Sequence, residues 1–482
     1  MPDRQPRART KIIATVGPAC RSEEKLTELI EAGADVFRLN MAYGTHAKHD
    51  QVVRWIRRLS RQYGPRAILV DLAGPKIRLG ELAGGKVVCR EGEEIFLDRG
   101  DVATASGRLV ASYPKLIDEI AAGDSIMLAD GTIELAVEEI TGQSARCRVV
   151  RPGEVRSRQG LNLPGVKLSV AAMSDKDRED AVWAAEAGVD FVGLSFVGSE
   201  DDVTELQQLL RDHGSSAHVI AKIERQEAAM RLGKIIEAAD GVMVARGDLG
   251  VETPLVNLAV LQKEITSLCS RHCKPVIVAT QMLDSMQRNS QPTRAEVTDI
   301  TNAILDGADA CMLSGGTAVG QYPCESVEMM NRIAMATEEY LHRESPPVSQ
   351  IATEVIEQHV HMVTRSVVRG AIRIAADIDA RYFVVATRTG GTARVLSKRR
   401  SNVPILGASN DPAVVRRMCL CWGITPLAEA PADDPDALLR YVDAWGQQDG
   451  CLRAGDRVVV LAGRGLQAGV HNCVLVHEVE PE

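Results

Sequence analysis

Eight short apolar, β-branched runs recur along residues 11–316, each ending in a polar residue and each followed by a helical pattern. They are KIIATVG (11–17), DVFRLN (35–40), AILVDLAG (67–74), DFVGLSF (190–196), HVIAKIE (218–224), GVMVARG (241–247), PVIVATQ (275–281) and ACMLSGG (310–316). Most are spaced by roughly 20–35 residues, the length of a βα unit. Apolar character on both faces suits parallel strands covered by helices. Eight such units predict an α/β chain built on a (β/α)8 TIM barrel.

The polar residues fall late in each run: Arg38 and Asn40, Asp71, Ser195, Lys222 and Glu224, Arg246 and Asp248, Thr280 and Gln281, Ser314. Barrel active sites lie at the C-terminal ends of the strands. Ser195 or Gln281 alone reads as a polar residue that merely ends a strand; the joint pattern is what predicts a site.

One gap breaks the rhythm. About 115 residues separate the third and fourth runs, too many for a loop. The gap holds short alternating strands between turn pairs, as in AGDSIMLADGTIELAVEEI (122–140). This predicts an inserted small β-barrel lid domain over 80–165, rising from the catalytic face. The barrel then comprises 1–79 and 166–345. A break at ESPPVSQ (344–350) precedes RYFVVATRTGGTA, NVPILGAS and DRVVVLAGRG, which alternate with helices and predict a C-terminal open α/β domain over 346–482. Its TRTGGT turn (387–392) lies between strand and helix. Hydroxyls and glycine amides at Thr387, Thr389, Gly390, Gly391 and Thr392 suit a phosphate there, or form a plain βα turn.

Bulk numbers narrow the function. A formal charge of −9 argues against a nucleic-acid or membrane-surface role, so an anionic substrate must meet a local basic site. Aromatics at 3% leave little for base stacking. Eleven scattered cysteines without a CxxC pair suggest a reducing compartment and a cytoplasmic location. CSRHC (269–273) reads as buried thiols before it reads as a zinc site. The N-terminus lacks the apolar core of a secretory signal, and no apolar run is long enough to span a bilayer.

KIERQ (222–226) and ARGDLG (245–250) end neighbouring strands. Glu224 and Asp248 there could share one hard cation of the Mg²⁺ type. Lys222 suits a transferring phosphoryl group, and Arg38, Lys76 and Arg78 add positive charge. Two carboxylates, a metal and several cations around one barrel mouth suggest phosphoryl transfer. The competing reading is a buried ion-pair network that only stabilises the barrel.

In order along almost the whole chain, KIIATVGP, FRLN, GPKIR, GLNLPG, AKIER, MVARGDLGVE, PVIVATQMLDSM, PTRAEVTDI, AILDGADACMLSGGTA and YPCESV resemble pyruvate kinase. The resemblance implies transfer of the phosphoryl group of phosphoenolpyruvate to ADP, giving pyruvate and ATP in glycolysis. It implies a divalent metal (Mg²⁺ or Mn²⁺) on Glu224 and Asp248, with Lys222 and Arg38 stabilising the phosphoryl group. It also implies a substrate carboxylate held by the Gly247 and Asp248 amides and Thr280, with Thr280 on the side of enolate protonation. Arg78, Lys176 and Asn40 are implied nucleotide contacts. A homotetramer with Arg294 near a subunit contact is implied, as is a sugar-phosphate or nucleotide effector at 387–392. The alternative is a catalytically silent, effector-sensing relative; a further one is a phosphotransferase with a shifted acceptor.

Departures from the family pattern sharpen one point. RLNMAYG stands where RLNFSHG is common, giving Ala42 and Tyr43; DLAGPKIR stands for DTKGPEIR, giving Leu72 and Lys76; SGGTA for SGETA gives Gly316. In potassium-dependent members, Asn, Ser, Asp and Thr at these places hold the ion. Asn40 and Asp71 remain, but Ala42 and Leu72 bring no side-chain oxygens. The resemblance therefore implies that the Lys76 ammonium replaces potassium, with Asp71 and Asn40, and that potassium is not required. An exposed Lys76–Asp71 pair would contribute only about 0–1 kcal/mol to stability. A cation ~4 Å from developing charge at an effective dielectric of ~20 is worth roughly 4 kcal/mol, on the order of a thousandfold in rate.

Overall fold

Eight parallel strands close a barrel: β1 (Lys11–Thr15), β2 (Val36–Asn40), β3 (Ala67–Asp71), β4 (Phe191–Leu194), β5 (His218–Ile223), β6 (Gly241–Ala245), β7 (Val276–Ala279) and β8 (Ala310–Leu313). Each pairs with the next, and β8 pairs back onto β1 with Lys11 opposite Ala310. The computed structural model describes residues 7–344 except 104, 106, 167 and 170, together with 360–462 and 473–481. The ESPPVSQ break and the end of DRVVVLAGRG lie outside the described residues, apart from their first residues and strand.

Alternation sorts each strand's side chains. Ile12 and Ala14 pack outward against the helices, while Ile13, Leu69, Phe191, Met243, Ile277 and Met312 fill the barrel interior. Both faces are buried, which explains the continuous apolar runs. The outer helices start on side-chain caps: Ser174 with Asp177, and Thr293 with Glu296, form reciprocal capping boxes.

A fourfold device stitches the barrel floor. An aspartate immediately precedes every even strand: Asp35, Asp190, Asp240 and Asp309. Each carboxylate accepts the backbone N–H of the preceding odd strand, from Ile12 (3.0 Å), Ile68 (2.8 Å), Val219 (2.9 Å) and Val276 (2.8 Å) respectively. The carboxylates thus tie strands into pairs at the end away from the polar mouth, using donors that lie at strand starts.

The chain between β3 and β4 leaves the barrel at Asp71 and forms a six-stranded sheet and a two-stranded ribbon (Lys86–Cys89 with Gly153–Arg156) around one apolar core. Isolated bridges such as Arg78↔Gly160 and Leu79↔Ala111 join its root. The C-terminal unit is a five-stranded sheet, four strands parallel (Ile424–Leu427, Ile405–Ala408, Tyr382–Ala386, Arg457–Ala462) and an antiparallel edge strand, Cys473–Glu478.

This unit plugs the barrel floor. Cys419 and Leu420 belong to the same buried cluster as Ile13, Phe191 and Met312. Its cations reach the floor aspartates: Lys398 and Arg400 bind Asp309, and Arg416 Nε lies 2.6 Å from Asp190. Lys11 on β1 donates to the Ile424 carbonyl at 2.8 Å. No described helix is long and apolar enough to cross a membrane.

Candidate active site

The C-terminal ends of β2 to β7 converge on a buried charge cluster. Asp71, at the end of β3 and 1% exposed, receives Arg38 Nε (2.7 Å) on Oδ2 and faces Lys222 Nζ (3.1 Å) with Oδ1. Lys222 also lies 2.9 Å from Glu224 Oε1 and donates to Ser195 Oγ at 2.6 Å. Glu224 Oε2 accepts the Phe196 N–H at 2.7 Å. Close approach requires glycine at 193 on β4: a Cβ there would stand 3.2 Å from Asp71 Oδ1. Gly74, at φ 71°, has the same role beyond β3, since a Cβ would meet Ser195 and Phe196 at 2.7 Å.

Burial opposes the charge on Lys222, but Asp71 and Glu224 outweigh it and hold the ammonium above its usual range. Burial likewise opposes ionisation of Asp71, and Lys222 and Arg38 reverse that, leaving its carboxyl below the ordinary range. Glu224 is pushed up, first by burial and then, against Lys222, by the charge of Asp248. Two carboxylates that burden each other at a buried mouth form a hard oxygen pair suited to a divalent cation. Among the described residues no group of three or more His, Cys, Asp or Glu is placed to hold a metal. A Mg²⁺ ion held by Glu224 and Asp248 would take its remaining coordination from substrate and water.

Lys76 goes elsewhere than the sequence suggests. Its Nζ lies 2.9 Å from Asp248 Oδ1 and 3.9 Å from Asp130 of the inserted sheet. Asp71 is occupied by Arg38 and Lys222, and Asn40 Oδ1 caps the Ala42 N–H at 3.0 Å. The reason is the turn after β3. Left-handed Gly74 sends the chain across β4, and the Lys76 N–H bonds the Gly74 carbonyl at 2.9 Å.

Asp248 sits in the short helix Arg246–Glu252. The Gly247 N–H donates to Thr280 Oγ1 at 2.8 Å, so hydroxyl and amide are adjacent. Thr280, Gln281 and Leu283 all have left-handed backbones (φ 67°, 58° and 53°). Arg246 braces this loop: Nη2 donates to the Thr280 carbonyl at 2.7 Å while Asp299 grips the guanidinium at 2.6 and 2.8 Å. Two implied nucleotide residues stand apart from the cluster. Lys176 bonds the Met41 carbonyl (2.8 Å), next to Asn40, and Asp180; Arg78, at the root of the inserted sheet, donates to the Arg158 carbonyl at 3.2 Å. Tyr43 is 73% exposed, and Gly316 is buried near Ser326.

At 387–392, Gly390 is left-handed (φ 81°) and heads the helix Gly391–Lys398. Its N–H donates to Thr387 Oγ1 (3.1 Å), and the Gly391 N–H to Thr389 Oγ1 (3.4 Å); Thr392 is buried. In CSRHC, the Cys269 and Cys273 side chains are buried.

Sequence reasoning undervalued Ser195 and overlooked Gly193, the Phe196 amide and the Arg246–Asp299 clamp. The signal for the first three was the polar and glycine content of GLSF inside an otherwise apolar run.

A cleft of about 290 Å³ opens between the inserted sheet and the barrel, lined by Pro75, Lys76, Asn162, Phe196, Arg225 and Glu252 among others. Asn162 Nδ2 donates to Glu252 Oε1 at 3.2 Å, linking the root of the insertion to the helix that carries Asp248. Burial raises the Glu252 carboxyl pKa. A raised folded-state pKa leaves no penalty below the unfolded value of about 4.3 and a full penalty once pH passes the folded value. Glu252→Gln is therefore expected to raise the melting temperature at pH 8 relative to the parent. The gain should shrink toward zero at about pH 4, as read by calorimetry across that range.

A barrel mouth carrying a paired lysine, a guanidinium and neighbouring carboxylates is that of an α/β-barrel phosphotransferase. The chain matches the family "Pyruvate kinase, barrel domain" over residues 7–327 and "Pyruvate kinase, alpha/beta domain" over 365–477. It is 38% identical over 477 residues to a pyruvate kinase of Geobacillus stearothermophilus, covering 98% of this chain and 80% of that one. It is 42% identical over 460 residues to pyruvate kinase 2 of Synechocystis, covering 94% and 76%. A crystal structure of a Cryptosporidium parvum pyruvate kinase superposes with a TM-score of 0.92 at 32% identity, covering 98% of this chain and 96% of that one. The chain belongs to the pyruvate kinase family.

Proposed function

We propose that this enzyme transfers the phosphoryl group of phosphoenolpyruvate to ADP, giving pyruvate and ATP, as a cytoplasmic enzyme of glycolysis. The observation that carries the reading is Lys222, held charged between Asp71, Glu224 and Ser195 at the barrel mouth. In the reaction the bond from phosphorus to the enol oxygen breaks and one to a β-phosphate oxygen of ADP forms. Lys222 and Arg38 offset the charge on the phosphoryl oxygens. The Gly247 and Asp248 amides and the Thr280 hydroxyl would hold the carboxylate; the Gly247 N–H lies 2.8 Å from Thr280 Oγ1, which places the two groups together, and the carboxylate would take over that bond. A proton then reaches carbon from a hydroxyl or ordered water on the Thr280 side. Glu224 and Asp248 would hold Mg²⁺ or Mn²⁺, whose charge polarises substrate oxygens. Arg78, Lys176 and Asn40 would meet the nucleotide phosphates, and the inserted domain (80–165) would act as a lid over the barrel of 1–79 and 166–345.

Lys76 would stand in for potassium. Its bond to Asp248 supports a cation fixed beside the metal pair, reached from the insertion side and not through Asp71 and Asn40. Activity is expected to be equal in sodium, potassium and tetramethylammonium salts, and Lys76→Glu is expected to lower it in all three. A strong potassium requirement would refute this. The domain of 346–482 would bind a sugar-phosphate or nucleotide effector at Thr387, Thr389, Gly390, Gly391 and Thr392. A homotetramer is supported by the apolar Leu255, Val256 and Val260, which are 74%, 85% and 56% exposed.

A coupled assay with Mg²⁺, phosphoenolpyruvate and ADP tests the whole reading. Pyruvate formation is expected, and no pyruvate with any added sugar phosphate or nucleotide would sink it. A panel of nucleoside diphosphates tests the acceptor.

A further inference from the structure

We propose that Ser195 is the positioning residue of Lys222: it aims the ammonium at the transferring phosphoryl group without neutralising it. The inference rests on the reading that Lys222 meets that group. Of its three neighbours, Ser195 Oγ at 2.6 Å takes a hydrogen bond from the ammonium, whereas Glu224 Oε1 at 2.9 Å and Asp71 Oδ1 at 3.1 Å are ion-pair contacts. Asp71 Oδ1 has no hydrogen-bond partner among the described residues, so of the three N–H donors of an ammonium one remains for an incoming anion.

The two carboxylates have other obligations. Asp71 Oδ2 takes Arg38, and Glu224 Oε2 takes the Phe196 N–H. Each carboxylate also cancels part of the charge it orients. A hydroxyl orients the ammonium and leaves its charge intact for an incoming anion.

Ser195 is fixed for that task. Its own hydrogen is committed to the Leu72 carbonyl at 2.7 Å, which turns an oxygen lone pair toward Lys222. Leu72 is itself held by a 3.0 Å bond from its N–H to the Gly193 carbonyl. Ser195 is 1% exposed, so water does not compete for the oxygen. The next residue, Phe196, is left-handed at φ 55°, and this turn aims its N–H at Glu224. The dipeptide Ser195–Phe196 thus sets Lys222 with a side chain and Glu224 with an amide. Gly74 packs directly on it, leaving no room for a Cβ.

The test compares Ser195→Ala, Ser195→Cys and Ser195→Thr with Lys222→Met in the full-length protein, measuring kcat, KM for phosphoenolpyruvate and the unfolding midpoint. Cysteine keeps the shape but is a weak acceptor; threonine keeps the hydroxyl. Ala and Cys are expected to lower kcat about 10- to 100-fold, the worth of one hydrogen bond to a charged group. KM and the midpoint should stay near those of the parent, and Thr should restore most of kcat. Ala and Cys variants near parental kcat, with Lys222→Met inactive, would overturn the positioning role alone. An active Lys222→Met would overturn the premise as well. Loss of kcat in all three serine variants together with a lowered midpoint would show a purely structural role and also overturn the proposal.

Discussion

Lys222→Met is expected to lower kcat about a thousandfold or more, with a smaller change in KM for phosphoenolpyruvate. The cause is electrostatic. A unit charge ~4 Å from developing negative charge is worth roughly 4 kcal/mol at an effective dielectric of ~20. Methionine is an unbranched, uncharged side chain one atom shorter than lysine, so substrate still enters. The substitution also leaves Asp71 and Glu224 facing each other with only Arg38 to compensate. Glu224, already pushed up by burial, then takes a proton more readily. Steady-state kinetics and single turnover check the first effect. A titration of Mn²⁺ binding by electron paramagnetic resonance checks the second, with weaker binding expected near neutral pH.

Lys398→Met is expected to destabilise the protein by about 3–5 kcal/mol, because it leaves a buried carboxylate without its main partner. Lys398 and Asp309 have side chains only 2% and 1% exposed. Asp309 keeps Arg400 at 3.1 Å and the Val276 N–H, which places the effect toward the lower end of that range. Lys398→Met combined with Asp309→Leu should recover part of the loss, since an apolar pair can replace a buried ion pair at little cost. Urea unfolding of the single and double variants measures the coupling. Equal losses from both would indicate that the backbone bond to Val276 matters more than the ion pair.

Much of the barrel was legible because β-branched runs with polar ends encode a local rule, and each strand obeys it on its own. The cluster residues Arg38, Asp71, Lys222 and Glu224 were legible for the same reason, since strand ends converge by topology. The partner of Lys76 was not. Asp248 lies 172 positions away, and the pairing depends on how Gly74 turns the chain over β4. Ser195 looked like a strand terminator because a single serine carries no periodicity; only the approach of β5 gives its oxygen a role. The floor aspartates carried no signal of their own: Asp35 and Asp190 open two of the apolar runs, and Asp240 and Asp309 stand just before two others. Their partners on the C-terminal unit, Lys398 and Arg416, sit on helices whose sequences look like ordinary amphipathic surfaces.

The plug formed by Cys419 and Leu420 bears on how the chain can be cut and how it must mature. A barrel severed from the last third of the chain would keep all eight strands yet open a greasy hole at its base, with Asp309 stripped of Lys398 and Arg400 and Asp190 left with Arg57 alone. Such a fragment should be sticky and prone to self-association. On a ribosome, the barrel floor is expected to be sealed only once Cys419 and Leu420 have emerged, so the catalytic unit is completed late, by residues at the end of the barrel opposite its chemistry.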